Sequence, residues 1–439
     1  MTGFPDREQI EARQLLLLQE LVAELVPSNR FYTRKLEPAG LAGGVPDLAA
    51  FFARAPFTTK AELVDDQRAH PPYGSNLTYP LERYTRFSQT SGTTGTPMRW
   101  LDTNDCWGWM VENWVEVFRA SGLTAEDRIF FAFSFGPFLG FWTAFEAGTR
   151  LNCLCLPGGG MSTGARLKAI LDNRVTALCC TPTYALRMGE AAREEGIDLS
   201  ESSVRTIVVA GEPGAGIPST RRRIEALWPG ARLKDHHGMT EVGPVTYECP
   251  AREGVLHVLE SGYIAEVIDP ETGAHAGPGE EGELVLTNLG RKGSPLLRYR
   301  TGDRVRRSDT VPCACGRYDL ALESGIRGRT DEMVVVRGVN LFPSAFEETV
   351  RRFDLVAEYR VEVYTREAMA EVRMHLEPAP GCEAPAQLAR EVEAALRAAF
   401  NLRVPVELVP PGTLPRFELK SRRWVRLDTV QEETGYGRE

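Results

Sequence analysis

The sequence predicts an α/β fold: a large N-terminal domain of parallel or mixed sheets flanked by helices and ending in a β-rich subdomain, then a small α+β domain. Three observations carry this. In the first half, apolar runs without polar alternation recur between helical patterns, as strands buried on both faces do. From about Gly254 the rhythm shifts to β-rich segments broken by turn residues, and beyond Met333 it shifts again to strands and helices on a smaller scale. At 439 residues the chain exceeds one ordinary core, so a large domain with a smaller companion fits its length.

The opening segment, MTGFPDREQIEARQLLLLQELVAEL, mixes charge with leucine and reads as an amphipathic helix rather than a signal sequence. A polar, proline-marked stretch containing RFYTRKLEPAGL and PFTTKAEL runs to about Glu82. Strands follow in RIFFAFSFG, NCLCLPGG, VTALCCTP and VRTIVVAGEPG, the last two leading into helices at ALRMGEAAREEG and STRRRIEALWPG. VLHVLE, YIAEVIDPETG and GELVLTNL, with Asp-Pro and Thr-Gly turns, give a mostly antiparallel subdomain over about 250–329. After GRTDEM come VVVRG, a helix from Ser344 to Arg352, strands at YRVEVYT and EVRMHLEP, and the helix AQLAREVEAALRAAF. The domains therefore span 1–329 and 330–439, with the boundary near Thr330 and Asp331.

Fifty-one basic against 60 acidic side chains leave a formal charge of −9, which argues against nucleic acid or an anionic membrane as the main partner. No uninterrupted apolar run reaches bilayer length, so the expected setting is cytoplasmic. Nine cysteines without framework spacing fit a reducing compartment.

The most telling stretch is SQTSGTTGTPMRW, Ser88 to Trp100. Ser91, Gly92, Thr93, Thr94 and Gly95 offer backbone N–H groups unobstructed by large side chains, together with hydroxyl donors. Such a turn can wrap an anion, because glycine permits the positive φ at which amides converge. It does not match the G-x-x-x-x-G-K-[ST] phosphate loop. A solvated linker favours the same residues, so the loop alone leaves both readings open.

Context decides. SQTSGTTGTP, AGEPG, HHGMTEVG, YRTGD, GRTDEMVVVRGVNLFPSAFE and LPRFELKSRR, with RFYTRKL and PFTTKAEL upstream, run in one order over nearly the whole chain. In that order they resemble the adenylate-forming enzymes, and within them the phenylacetate-CoA ligase group. The resemblance implies ATP-dependent conversion of a carboxylic acid to an acyl-adenylate, then transfer to the thiol of coenzyme A. The 91–95 loop would hold the β- and γ-phosphates. Relatives carry lysine where this chain has Thr96, so either Arg99 substitutes in part or the loop grips phosphate more weakly.

Joining a carboxylate to the α-phosphorus of ATP brings two anions together, so the site must neutralise charge and align the nucleophile. The resemblance assigns Thr240 to the α-phosphate and Glu241 to a bridging Mg²⁺. His237 stands where relatives place an aromatic residue beside adenine, and Gly211, Glu212 and Pro213 would line the base. Asp303 would accept hydrogen bonds from the ribose hydroxyls, with Arg329 assisting at ribose or phosphate. Lys420 matches the C-terminal lysine that meets carboxylate and α-phosphate; Phe417 and Leu419 depart from the usual R-S-E-G-K surroundings. The small domain would rotate about Asp331, withdrawing Lys420 and bringing Arg337-Gly338-Val339 to the pantetheine arm.

RIFFAFSFGPFLGFW packs six phenylalanines and a tryptophan into fifteen residues. Some must be core, yet Phe135, Gly136, Phe138 and Ala210 align with the family's acyl pocket, and nothing at these positions supplies a fixed charge for a second polar group. An apolar or aromatic monocarboxylate, phenylacetate or a benzoate-like acid, is expected. Cys249, His257, Cys313 and Cys315 suit tetrahedral zinc in a structural role, although C-x-C is tighter than the common C-x₂-C pair. The resemblance also implies a homodimer. Two alternatives remain at this stage: transfer of the acyl group to an amine or carrier-protein thiol, and a catalytically silent nucleotide-binding homologue.

Overall fold

The computed structural model describes residues 3–90, 97–337, 339–366, 369–417 and 420–427. The first helix, Arg7–Leu25, begins at Asp6, whose carboxylate caps the N–H of Gln9 while the Gln9 side chain returns the bond. Its buried face, Ile10, Gln14, Leu18, Leu21, Val22 and Leu25, follows helical spacing, as the leucine and charge pattern predicts. The proline-marked stretch after it contains three further helices, Arg30–Leu36, Leu48–Arg54 and Lys60–Ala69, capped by Asn29, Asp47 and Thr59. Their brevity hides them from periodicity, and the caps are their only local signal.

The centre of the N-terminal body is a five-stranded sheet, parallel throughout, in the spatial order Leu154–Pro157, Arg128–Phe131, Ala177–Cys180, Thr206–Val209, Arg232–Asp235. Alternate residues of one strand enter different cores. Ile129, Phe131, Ala177, Cys179 and Val208 face one side, while Phe130, Leu178, Cys180, Ile207 and Val209 face the other. Burial on both faces is why these strands read as unbroken apolar runs. Loops and helix starts at their carboxyl ends are the natural place for a ligand in such a sheet.

The β-rich part is antiparallel, as expected: Tyr263–Ile268, Glu281–Asn288, Tyr299–Arg306 and Gly328–Arg329 form one sheet, and Thr246–Glu248, Leu256–Val258 and Ala321–Leu322 another. A separate core begins at Val334 and includes Phe346, Val361, Met374, Leu376, Val392 and Leu396. Around it, the C-terminal unit pairs the long antiparallel strands Val356–Arg366 and Met369–Pro378, flanks them with Val406–Leu408 and Trp424–Arg426 in parallel, and covers them with helices Pro343–Val350 and Pro385–Phe400. The first of these helices starts one residue earlier than the sequence reading, because Pro343 occupies its first turn, where a missing N–H costs nothing.

Candidate active site

The nucleotide side is built on Asp303, in the strand Tyr299–Arg306, opposite Arg329 in register. Asp303 is buried; Nη1 of Arg329 lies 3.0 Å from Oδ1 and Nε2 of His237 2.9 Å from Oδ2. Burial alone raises this carboxyl, but His237 and Arg329 outweigh it and hold the pKa below the ordinary carboxylate value. Nδ1 of His237 is buried without a hydrogen-bond partner among the described residues. Its neighbour His236 is different in kind. That ring packs against Trp114 at 4.1 Å, its Nδ1–H donates to the Thr246 carbonyl at 2.6 Å, and burial pushes its pKa down to about 3, so it is a neutral structural group.

Thr240 and Glu241 follow the short strand Gly238–Met239. Glu241 is buried, and no described residue hydrogen-bonds its carboxylate. The backbone beneath is fixed by a residue the sequence reading missed: Nη1 of Arg291 donates to the carbonyls of Thr240 and Glu241, both at 2.8 Å. Asp102 grips the same guanidinium through two bonds of 2.6 Å, and both side chains are fully buried. Trp100 lies against the cation, its ring centre 5.2 Å away. A carboxylate directly after the apolar pair Trp100-Leu101 was the available signal for this pair, but its partner lies far along the chain and could not be read from it.

Ser91, Gly92, Thr93, Thr94, Gly95 and Thr96 lie outside the described residues. The chain closes around them as a hairpin, Tyr84–Gln89 against Arg99–Thr103, with Thr90 N–H on the Met98 carbonyl at 3.0 Å. The Arg99 guanidinium donates to the Pro72 carbonyl at 3.1 Å.

Gly211, Glu212 and Pro213 follow the carboxyl end of the strand Thr206–Val209. Gly211 has φ +97°, a conformation side chains resist, and a methyl added there would lie 3.4 Å from Cε of Lys420. Lys420, from the far end of the chain, thus reaches over this glycine. The Glu212 carboxylate is occupied by protein: Oε1 accepts the Thr183 N–H at 3.0 Å, and Oε2 accepts the N–H and hydroxyl of Ser421 at 2.8 and 3.1 Å. Asp331 sits in the single turn Thr330–Glu332 that joins the body to the C-terminal unit, and Gly338 lies outside the described residues.

The aromatic segment forms a cluster beside these loops. Phe135 adopts φ +50°, uncommon for a bulky side chain, and meets Trp142 and Phe145 edge-on at 5.0 and 5.6 Å. Phe133 and Phe141 stack at 3.9 Å, and Phe138 meets Phe141 at 5.7 Å. Gly136 lies close under the Phe138 ring: a methyl there would stand 2.9 Å from it, so the ring would have to shift. Ala210 closes the neighbouring strand end, its N–H on the Cys180 carbonyl. The Pro137 carbonyl accepts the N–H of Gln89 at 2.9 Å, so this cluster and the root of the 91–96 loop share one bond.

Cys249, His257, Cys313 and Cys315 converge, their ligand atoms within 4.8 Å of one another. The Cys249–Cys313 sulfur separation is 3.7 Å, and Cys315 Sγ lies 3.5 Å from His257 Nε2. Tetrahedral zinc with its usual bond lengths requires about 3.8 Å between sulfurs and about 3.6 Å between sulfur and nitrogen. His257 Nδ1 faces the Asp319 carbonyl at 3.3 Å, which leaves Nε2 free for a metal. The residues therefore fit the ion.

The AMP-binding enzyme family matches residues 87–290, and the C-terminal domain of AMP-binding enzymes matches 338–427. A phenylacetate-coenzyme A ligase of Thermus thermophilus is 31% identical, over 94% of this chain and 95% of that protein. The chain belongs to the phenylacetate-coenzyme A ligase family of AMP-binding enzymes. It is thus an acid–thiol ligase that uses ATP to activate a carboxylic acid and coenzyme A to receive the acyl group. A 2-hydroxyisobutyryl-CoA ligase in its postadenylation state superposes with a TM-score of 0.90 at 26% identity, covering 97% of this chain and 91% of the other. The same ligase in its thioesterification state, at 27% identity with the same coverage of both chains, gives 0.69. The chain therefore superposes better on the postadenylation form of that ligase than on its thioesterification form.

Proposed function

We propose that this ligase activates an apolar, aromatic monocarboxylic acid of the phenylacetate or benzoate kind. A carboxylate oxygen of the acid attacks the α-phosphorus of ATP, pyrophosphate leaves, and the coenzyme A sulfur then attacks the acyl carbon as AMP leaves. The observation that carries the residue roles is Lys420 lying over Gly211 at the carboxyl end of the parallel sheet. A flexible stem with a terminal cation suits a group that enters and leaves between half-reactions.

In this reading Ser91, Gly92, Thr93, Thr94 and Gly95 hold the β- and γ-phosphates, and Thr240 the α-phosphate. Glu241, buried without a described hydrogen-bond partner, holds Mg²⁺, which would supply positive charge to the phosphate oxygens. Asp303, already hydrogen-bonded by His237 and Arg329, binds the ribose. The backbone of Gly211, Glu212 and Pro213 and the ring of His237 line the base. Phe135, Gly136, Phe138 and Ala210 form the acyl pocket, whose phenylalanines offer ring edges and no fixed charge. The mobile unit comprises 330–439, pivots at Asp331 and presents Gly338 to the pantetheine arm. Cys249, His257, Cys313 and Cys315 hold a structural zinc. A homodimer in the cytoplasm completes the proposal. No helix among the described residues is long and apolar enough to cross a membrane.

The test is a panel of acids with ATP and Mg²⁺, scored for pyrophosphate release with and without coenzyme A. Release stimulated by aryl acids and accelerated by coenzyme A is expected. Stimulation confined to charged or hydroxylated acids would overturn the pocket assignment, and indifference to coenzyme A would point to another acceptor.

A further inference from the structure

Two serine–glutamate pairs join the N-terminal body to the C-terminal unit, and they are built alike. In one, the body's Glu212 accepts the N–H and hydroxyl of Ser421, next to Lys420. In the other the roles are reversed: the body's Ser219 donates its N–H at 3.1 Å and its hydroxyl at 2.9 Å to Oε2 of Glu348, in the helix Pro343–Val350. Each carboxylate also satisfies the N-terminus of a body helix that starts with proline. Thr183, bound by Glu212, is the second residue of Pro182–Glu194, and Ser219 is the second residue of Pro218–Leu227.

The second helix matters more. Its N-cap residue is Ile217, which has no capping side chain, so a carboxylate from the other unit fills the position. Arg352 holds the opposite oxygen of Glu348 at 3.3 Å within the C-terminal unit, which fixes the aim of the carboxylate. One turn along the body helix, Nη1 of Arg223 donates to the Val356 carbonyl at 2.8 Å.

We propose that Glu348 and Ser219 are positioning residues, a latch that keeps the C-terminal unit where Lys420 reaches the adenylation site and that opens before thioester formation. The inference rests on the proposed role of Lys420. A helix end capped only from across the boundary loses its cap when the units part, so the latch favours the orientation in which it is closed. It stabilises that orientation without touching ATP, acid or coenzyme A.

The test uses the full chain with phenylacetate and separates the half-reactions: pyrophosphate release in a single turnover without coenzyme A, and thioester formation from supplied phenylacetyl-adenylate and coenzyme A. Ser219→Ala and Glu348→Ala are expected to slow the first about tenfold, as loss of a hydrogen bond to a charged group allows, and to leave the second unchanged or faster. The double variant should be no slower than the slower single one, since both remove one interaction. Glu348→Gln, which keeps an acceptor oxygen, should retain most of the rate. Equal losses in both half-reactions, or none in either, would overturn the latch. Lys420→Ala runs beside them. If it leaves pyrophosphate release intact, the role of Lys420 fails and the latch with it; if it slows release while the latch variants do not, the latch alone falls.

Discussion

Both carboxylate oxygens of Asp303 are engaged by the protein, through His237 and Arg329, so the ribose proposed to bind here would exchange hydrogen bonds with a carboxylate already held in place. Asp303→Ala removes the acceptor and leaves two donors facing each other. The expected result is a rise of about tenfold or more in the KM for ATP, with a smaller change in KM for the acid, read from steady-state pyrophosphate release. Lys420→Ala should cost on the order of 10² to 10³ in the adenylation rate, the scale on which one transition-state donor acts. Arg291 is a different case, because its guanidinium is taken up by Asp102 and by the carbonyls of Thr240 and Glu241. Arg291→Met leaves Asp102 as a buried, unpaired charge, which costs about 3–5 kcal/mol of stability, and it frees the carbonyls of Thr240 and Glu241. A lowered thermal midpoint together with a raised Mg²⁺ requirement is the expected pair of effects.

The C-terminal unit owes part of its cohesion to a buried group of charges. Arg423 binds both oxygens of Glu358, at 2.6 and 3.0 Å, while Arg351 meets Glu347 at 2.9 Å and Glu358 at 3.2 Å. Arg423 lies three residues beyond Lys420, just before the strand Trp424–Arg426 that ties the lysine arm to this core, and its carbonyl accepts the N–H of Val361. Burial opposes ionisation of Glu347, but Arg423, Arg351 and Tyr359 prevail and bring its pKa from 4.5 down to about 2. A carboxyl depressed in the folded state contributes stability that is fully present above its unfolded value and is lost as pH falls through the folded one. Thermal midpoints should therefore fall as pH drops from 4.5 toward 2, and Glu347→Gln should flatten that part of the profile.

Legibility followed the range of the interaction. Four strands of the parallel sheet were visible because each carries its own apolar run, whereas the edge strand Arg232–Asp235, RLKD, carries none; the antiparallel region was visible because Asp269-Pro270 and Thr272-Gly273 mark its turn. Asp303 stood out through its motif, yet its bonds to His237 and Arg329 depend on a strand pairing no local pattern encodes. The motif at Glu212 points to the base, but the bonds its carboxylate makes to Thr183 and Ser421 exist only because the folded chain brings Ser421 to it. Asp102 and Arg291 stayed hidden for the same reason. The four cysteine and histidine positions were legible as ligand types, and their convergence follows from the pairing of Thr246–Glu248, Leu256–Val258 and Ala321–Leu322. Metal analysis should return near one zinc per chain, with Cys315→Ser or chelation lowering the thermal midpoint; protein purified without chelator and free of zinc would remove that site from the account.

At the scale of the molecule, one chain must serve two reactions with one set of loops. The shape matches the postadenylation form of a related ligase better than its thioesterification form, and the lysine arm is drawn over Gly211 in keeping with that. The central claim is that activation precedes and does not need the thiol. Rapid-quench mixing of the protein with phenylacetate, ATP and Mg²⁺ in the absence of coenzyme A tests it most directly. A stoichiometric burst of pyrophosphate with acyl-adenylate retained on the protein, discharged to thioester and AMP on adding coenzyme A, is the expected result. Release of ADP and phosphate, or no cleavage of ATP until coenzyme A is present, would contradict it.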